Sequence, residues 1–368
     1  MKGRYRLRFT KRLGFGPAFW LFMLAPLSAS ADSGVFASMT LDGYSEPEPL
    51  MDTLDEWGES FDKGERQWLL NEFEIGYRLN NGLSIAAFHR SLASTRINER
   101  AAHYYGRIER NEPLTDSTVP IELTVSGFAG QGVKLGYSRR QDRWSASAEV
   151  SVFQANYLMD GGLSGTLATN TDGSYHIAAD VDYRYYQDSL FNRPDIDRPK
   201  GIGQALDLKL SYQVTERWQL AMQAEDVLAS IEWDRAPYTV ASANSQRQTY
   251  DNEGFVSFNP LFEGTEGYRN NYRQDLDPRY RLSSELKIGR WALKTHLEHQ
   301  FGTLMPVLGI ARRWQSGGEW ELNYDVERRT LGVGISNNRW AATFSTDTAK
   351  LNEAKSLYIS LTYGPLHQ

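Results

Sequence analysis

Five times along the chain, a tight polar turn is followed at once by a tryptophan and then by alternating polar and apolar residues. Trp144 follows Arg140-Gln141-Asp142-Arg143, Trp218 follows Thr215-Glu216-Arg217, and Trp291 follows Gly289-Arg290. Trp320 follows Gln315-Ser316-Gly317-Gly318-Glu319, and Trp340 follows Asn337-Asn338-Arg339. After Trp320, the residues Leu322, Tyr324 and Val326 fall on one face and Glu321, Asn323, Asp325 and Glu327 on the other. A period of two is the mark of a strand with one apolar and one polar face. A soluble sheet can alternate in the same way. A large aromatic residue at one height on successive strands, however, is what a membrane interface asks of a barrel. The pattern predicts an all-β fold, a transmembrane antiparallel β-barrel with Trp144, Trp218, Trp291, Trp320 and Trp340 as its aromatic girdle.

With the tryptophan turns taken as periplasmic, strand 144–156 runs outward and 163–169 inward, and Asn170-Thr171-Asp172-Gly173 makes a further periplasmic turn. Strand 175–186 then shows Tyr175, Ile177, Ala179, Val181, Tyr183 and Tyr185 to lipid, and His176, Asp180, Asp182 and Arg184 to the lumen. In 204–213, Leu206, Leu208, Leu210 and Tyr212 point outward, and Asp207 and Lys209 inward. The alternation slips at Glu225-Asp226, which predicts a β-bulge near the outer rim. Further on, Tyr280, Leu282, Leu286 and Ile288 oppose Arg281, Glu285 and Lys287. Trp291, Leu293 and Leu297 oppose Lys294, His296 and Glu298. Segments 306–314, 320–328, 329–336 and 340–347 read as short-turn hairpins. The N-terminal third is less regular, with strands expected at 34–44, 68–79, 82–92, 101–110, 119–128 and 132–139 and a hairpin turn at Asn80-Asn81-Gly82. The expected total is about 16 strands, within roughly 14–18, and even so that both ends lie in the periplasm.

The first residues set the compartment. Lys2, Arg4, Arg6, Arg8, Lys11 and Arg12 precede an apolar run from Leu13 to Leu27, and Ala29-Ser30-Ala31 is a small-x-small cleavage site. This predicts a cleaved secretory signal peptide over 1–31 and a single barrel domain over 32–368. The chain has no cysteine, which excludes disulfides, Cys-ligated metals and attachment through an N-terminal lipidated Cys. Lys and Arg number 40 and Asp and Glu 46; without the six basic residues of the signal, 34 oppose 46, a balance that argues against nucleic acid as a partner. Mean hydropathy is −0.53, and beyond the signal no stretch approaches the ~18 apolar residues of a membrane helix. A barrel tolerates this, because only alternate residues meet lipid. Secretion and barrel pattern together predict the outer membrane of a Gram-negative bacterium, with outer-membrane lipid and lipopolysaccharide as partners.

Near the C-terminus, Leu357, Ile359, Leu361 and Tyr363 alternate with Tyr358, Ser360 and Thr362. The strand resembles the aromatic-tipped signature by which outer-membrane assembly machinery recognises its substrates, which implies that machinery as a partner during biogenesis. It departs from the signature in that Gly364 to Gln368 follow the tyrosine.

The expected lumen lining mixes both signs: Asp180, Asp182, Arg184, Asp207, Lys209, Arg281, Glu285, Lys287, Lys294, His296, Glu298, Glu321, Asp325 and Glu327. Opposite charges on neighbouring strands can close a lumen as a structural network. Segregated charges would instead select solutes at a constriction. Two long outer loops are expected. The first, 45–66, is rich in carboxylates that could gather divalent cations or bridge to lipopolysaccharide. The second, 234–278, carries Phe255, Phe258, Phe262, Tyr268 and Tyr272 and reads as a candidate lid over the barrel mouth. His296 with Glu298 is the most suggestive catalytic pair, yet no serine stands beside them in a recognisable nucleophile setting. The reading is therefore not an enzyme, with no cofactor and no metal site.

The stretch from Gly203 to Tyr212 (Gly-Gln-Ala-Leu-Asp-Leu-Lys-Leu-Ser-Tyr), followed by Trp218 and Glu225-Asp226-Val227-Leu228, resembles a segment of barrels related to long-chain fatty-acid transporters. The Asn-Pro-Ala motif of that family's N-terminal part and its plug-like segment are absent, so fatty-acid transport is not implied. The expected function is a porin-like channel or transporter for small solutes. The alternative is a non-conducting barrel that anchors or assists assembly of an envelope or surface structure through its loops.

Overall fold

Strands whose two faces differ this sharply need an apolar medium on one side and a polar one on the other, and a sheet closed on itself within a membrane supplies both. The computed structural model describes residues 33–55, 57–188, 193–245, 248–250, 256–258, 262–314 and 317–364. The expected signal peptide and Phe255 lie outside these residues. In chain order the elements begin with β1 (Gly34–Ser45), α1 (Leu50–Asp55), β2 (Arg66–Arg78), β3 (Leu83–Ile97) and α2 (Glu99–Glu109). Next come β4 (Ser117–Gln141), β5 (Trp144–Thr169), β6 (Tyr175–Tyr185), β7 (Gly201–Thr215), β8 (Trp218–Glu225) and β9 (Ser230–Asn244). A small hairpin, β10 (Gln248–Tyr250) and β11 (Val256–Phe258), precedes β12 (Phe262–Asp275), β13 (Arg279–Ile288) and β14 (Trp291–Gln300). The series ends with β15 (Thr303–Arg313), β16 (Glu319–Asp325), β17 (Thr330–Ser336), β18 (Trp340–Thr346) and β19 (Ser356–Tyr363).

Antiparallel pairing runs β1–β2–β3–β4–β5–β7–β8–β13–β14–β15–β16–β17–β18–β19, and β19 returns to β1 with Met39 opposite Leu361. Fourteen strands thus close the ring, and the main sheet holds seventeen strand segments. Both counts fall inside the expected range. The difference arises because three wall strands are interrupted. β5 pairs with β7 through Trp144 to Ala155 and with β6 through Met159 to Thr169, so β6 continues β7 along the same edge. In the same way β9 continues β8, and β12 continues β13.

The outward side chains form an apolar belt. On β5 it runs from Trp144 through Val150 and Val152, and the neighbouring strands supply Tyr137, Leu135 and Val133, then Leu83 and Ile85. Leu135, Ile202 and Leu331 are 60%, 59% and 62% exposed, and contiguous rows of this kind around a closed barrel suit lipid as the solvent. His89, Gln131 and Gln154, in register across β3, β4 and β5, end the belt on that side. The stretch from Trp144 to Val152 is about what a tilted strand needs to cross the hydrocarbon. The fold is therefore a transmembrane barrel of the outer-membrane type.

β4 and β5, with 25 and 26 residues, are far longer than that. Beyond the belt their upper parts join β6, β9 and β12 in a five-stranded extension. Its outer face is covered by protein. Trp57, Phe61, Ala101 and Ala102 pack with Ile121 and Leu123, and Tyr104 and Leu114 pack with Val119, Leu167 and Ile177. The segment expected as strand 101–110 is the helix α2, because Ala101, Tyr105 and Ile108 recur at three to four residues and not at two. Asn98 precedes it and spends its side chain on β4, donating to the Pro120 carbonyl and accepting from the Glu122 N–H.

Several expectations are corrected here. Strands 119–128 and 132–139 are one strand, β4; strands 144–156 and 163–169 are likewise one, β5, with its extra residue at Asn156 absorbed as a bulge. The Asn170 to Gly173 turn therefore lies at the far end, opposite the tryptophan turns. On β6, Ala179, Val181, Tyr183 and Tyr185 do not meet lipid; they are buried, the last three packed with Leu163 and Ile196. At Glu225-Asp226 the strand ends in a turn, with Asp226 at φ 59, and no bulge forms. The stretch 234–278 is not one long loop: it holds most of β9, the hairpin strands β10 and β11, and β12. In 45–66, the carboxylates of Glu46 and Glu48 are used inside the fold: Glu46 accepts the Glu65 N–H and pairs with Arg66, and Glu48 is fully buried.

Candidate functional site: the layered lumen

Inward side chains divide the lumen into layers. At the tryptophan end a vestibule of about 390 Å³ is rich in hydroxyls, among them Ser84, Ser138, Ser145, Ser147, Ser211 and Ser283. Above it lies a charged chamber of about 380 Å³. The two share Phe36, Arg78, Glu149, Lys209, Gln223 and Thr362, which form the neck between them.

Most of the chamber's charges are matched. Arg90 on β3 donates through both terminal nitrogens to Asp226 of the β8–β9 turn, at 2.7 and 2.5 Å. Both groups are buried, and this pair links wall strands that are not neighbours. Lys134 donates to Glu72 and Glu74 at 2.5 and 2.9 Å. Arg279 pairs with Glu225 at 2.6 Å, and Arg281 donates to Glu298 at 2.9 Å. A second network covers the β13–β16 wall: Lys294 donates to Glu319 and Glu321, and Arg313 to Glu319 and Glu285. At the far rim Arg328 bridges Asp42 and Asp325, each at 2.7 Å. A buried pair of this kind is costly to break from one side, because the remaining charge stays desolvated.

An apolar layer closes the chamber on its far side. Phe88, Phe128, Phe153, Leu158, Ile231 and Trp233 belong to one buried cluster. Phe153 lies 5.6 Å from Phe128 and 5.8 Å from Phe88 between ring centres. Trp233 of β9 donates its indole N–H to Gln274 of β12 at 3.1 Å. Gln274 in turn donates to the carbonyls of Gly127 and Met159 on β4 and β5, tying β12 to the opposite wall. Tyr44, Trp68 and Met305 fill the β1–β2–β15 side, with Phe301 against Trp68.

Of the residues expected in the lumen, Asp207, Lys209, Arg281 and Glu298 line the chamber. Glu285, Lys287, Lys294 and Glu321 belong to the β13–β16 network, with Lys287 3.9 Å from Glu285. His296 stands on the same inward face as Lys294 and Glu298, opposite Ser283 in register. A serine thus faces this histidine, which the spacing along the chain did not show; no bond joins the two. Asp325 caps the β16–β17 turn, and Glu327 is an exposed residue of that turn, not of a wall. Asp180, Asp182 and Arg184 belong to the extension, where Arg184 is buried over the Tyr272 ring and the two aspartates are exposed. Tyr272 donates to Asp160. Tyr268 is flanked by the guanidinium groups of Arg193 and Arg235, at 5.0 and 4.1 Å. Phe262 opens β12 and is exposed, and Phe258 falls in β11. Trp144, Trp218, Trp291 and Trp340 are the first residues of β5, β8, β14 and β18, and Trp320 the second of β16, all at one end of the barrel. Arg90 and Asp226 were missed. Arg90 sits in an unremarkable stretch of β3, and Asp226 follows a break in alternation that only the fold turns toward Arg90.

No protein-family model matches the chain, and no curated protein matches it in sequence. Among solved structures, the toluene transporter TodX of P. putida aligns over 92% of this chain and 92% of its own, at 9% identity and a TM-score of 0.43. A FadL homologue of Pseudomonas aeruginosa aligns over 90% of each chain at 10% identity and a TM-score of 0.27. The beta domain of the Bordetella autotransporter Brka aligns over 91% of this chain and all of its own, at 11% identity and a TM-score of 0.25. At such values the likeness adds nothing beyond the strand pairing and the lipid belt, and on these the chain is an outer-membrane β-barrel.

Proposed function

We propose that the protein is a gated outer-membrane channel for small polar solutes, entered from the tryptophan end, which faces the periplasm. The observation that carries this reading is the continuity of the hydroxyl-rich vestibule with the charged chamber, which ends at the apolar layer around Phe153 and Trp233. A wet, charged lumen suits hydrated solutes, and an apolar constriction gates by excluding water. The test is single-channel conductance of the refolded barrel in a planar bilayer. The wild type is expected to be closed most of the time, with brief openings. Trp233→Ala, which removes the bulkiest buried side chain of the layer, is expected to raise the open fraction by about tenfold or more, a shift of ~1.4 kcal/mol. Silence from both folded proteins would sink the channel reading.

A second reading, a non-conducting barrel that anchors an envelope partner, is supported by the extension, whose strands reach well past the membrane belt. It predicts the silent outcome together with co-purification of a partner that is lost when the extension is trimmed.

A further inference from the structure

We infer that the neck between vestibule and chamber binds a small zwitterion, a molecule carrying one amine and one carboxylate a few bonds apart. This names the solute class for the channel proposed above and rests on that reading only for how the ligand arrives.

Most cations of the chamber are paired: Arg90, Lys134, Arg279 and Arg281 each hold a carboxylate within 2.9 Å. At the neck this stops. Among the described residues, the side chains of Glu149 and Lys209 have no ion-pair or hydrogen-bond partner, although both line the two cavities. They are close. Glu149 lies directly opposite Asp207 across β5 and β7, and Lys209 is two residues further along β7, opposite Ser147. Such diagonal neighbours lie about 7–8 Å apart, their Cβ atoms somewhat closer, within reach of a shared ligand. Asp207 accepts the Asp226 backbone N–H at 2.8 Å and so keeps acceptor capacity to spare.

Two carboxylates directly opposite each other are unfavourable in a sheet unless something positive meets them. A lone cation drawn to them would also meet Lys209 and Arg78. A lone anion drawn to Lys209 would meet Glu149 and Asp207. A zwitterion satisfies both sides, with its ammonium donating to Glu149 and Asp207 and its carboxylate accepting from Lys209. The site discriminates by repelling each singly charged analogue.

The probe is glycylglycine, titrated calorimetrically into the folded barrel in detergent. N-acetylglycine, which lacks the amine, and glycinamide, which lacks the carboxylate, serve as comparisons. Glycylglycine is expected to bind about tenfold or more tightly than either, and Lys209→Gln and Glu149→Gln are each expected to weaken it by about tenfold. Lys209→Arg and Glu149→Asp, which keep the charges, serve if the glutamine variants fail to fold, and each should retain the preference for the zwitterion. Equal binding of the three probes, absence of binding, or unaltered binding in both glutamine variants would overturn the site. A barrel that conducts without preferring the zwitterion loses the site and keeps the channel. One that binds it and never conducts keeps the site and loses the channel.

Discussion

Arg90 and Asp226 meet in a bidentate ion pair with almost no solvent around them. Removing either partner strands the other charge where the packing around the pair keeps solvent away, so Arg90→Ala is expected to destabilise the barrel by about 3–5 kcal/mol. Arg90→Leu combined with Asp226→Asn, which tolerates the left-handed backbone at 226, should recover much of that loss, since the pair leaves no orphan charge of its own; unfolding in urea, followed by gel mobility, measures both. Glu48 presents the opposite electrostatic case, in the far-end loop outside the membrane. Its burial pushes the carboxyl up to about 7, against which the hydrogen bond from Gln67 works only partly. The folded loop therefore holds a proton that the unfolded chain releases near pH 4.5. Between those values stability falls as pH rises, and above about 7 the full cost remains. Glu48→Gln is expected to leave hydrogen exchange in 57–67 unchanged at pH 4 and to slow it at pH 8, by roughly 2–4 kcal/mol of local stability. At this scale the alternation did reveal inward residues such as Asp207, Lys209 and Arg281. It could not reveal partners, because which inward residues share a height depends on registers summed around the ring.

Among the elements, α2 is the one most at odds with the pattern around it. It is held by Arg110, whose guanidinium donates to the carbonyls of Glu59 and Phe61 at 3.1 and 2.7 Å. Gly106 faces the same carbonyl, and a Cβ there would sit 1.9 Å from the Phe61 oxygen. Gly106→Ala would favour an isolated helix by ~1 kcal/mol, yet here it is expected to loosen α2 and the 57–62 loop. Limited proteolysis should then cut after Arg107 or Arg110 while the barrel keeps its heat-modifiable mobility; unchanged protection would show that the loop gives way freely. The strands from β13 to β18, joined by short turns, were legible to within about three residues at their ends, since each turn fixes its neighbour's register. β6, β9 and β12 were not. β6 alternates just as cleanly, but its apolar face is covered by protein instead of lipid, and alternation records only that two faces differ; β9 and β12 carry no pattern so regular.

For the whole molecule, the lipid belt makes a direct prediction. Brominated acyl chains near the interface are expected to quench Trp144, Trp218, Trp291, Trp320 and Trp340 and to spare Trp57, Trp68 and Trp233, which are buried in protein. Single Trp→Phe variants of the five should each lower the quenchable fraction; an unaltered fraction in all five would refute the girdle. What the sequence determined by itself is the class of fold, its membrane setting and which end carries the tryptophans. Those follow from a period of two and from local turn chemistry, both written within a dozen residues. What only the tertiary structure decided is the interruption of three wall strands, the extension above the belt and the closed, layered lumen. These depend on contacts such as Arg90 with Asp226 and Gln274 with Gly127, separated by more than a hundred residues, and no local pattern encodes a meeting made only when the ring closes.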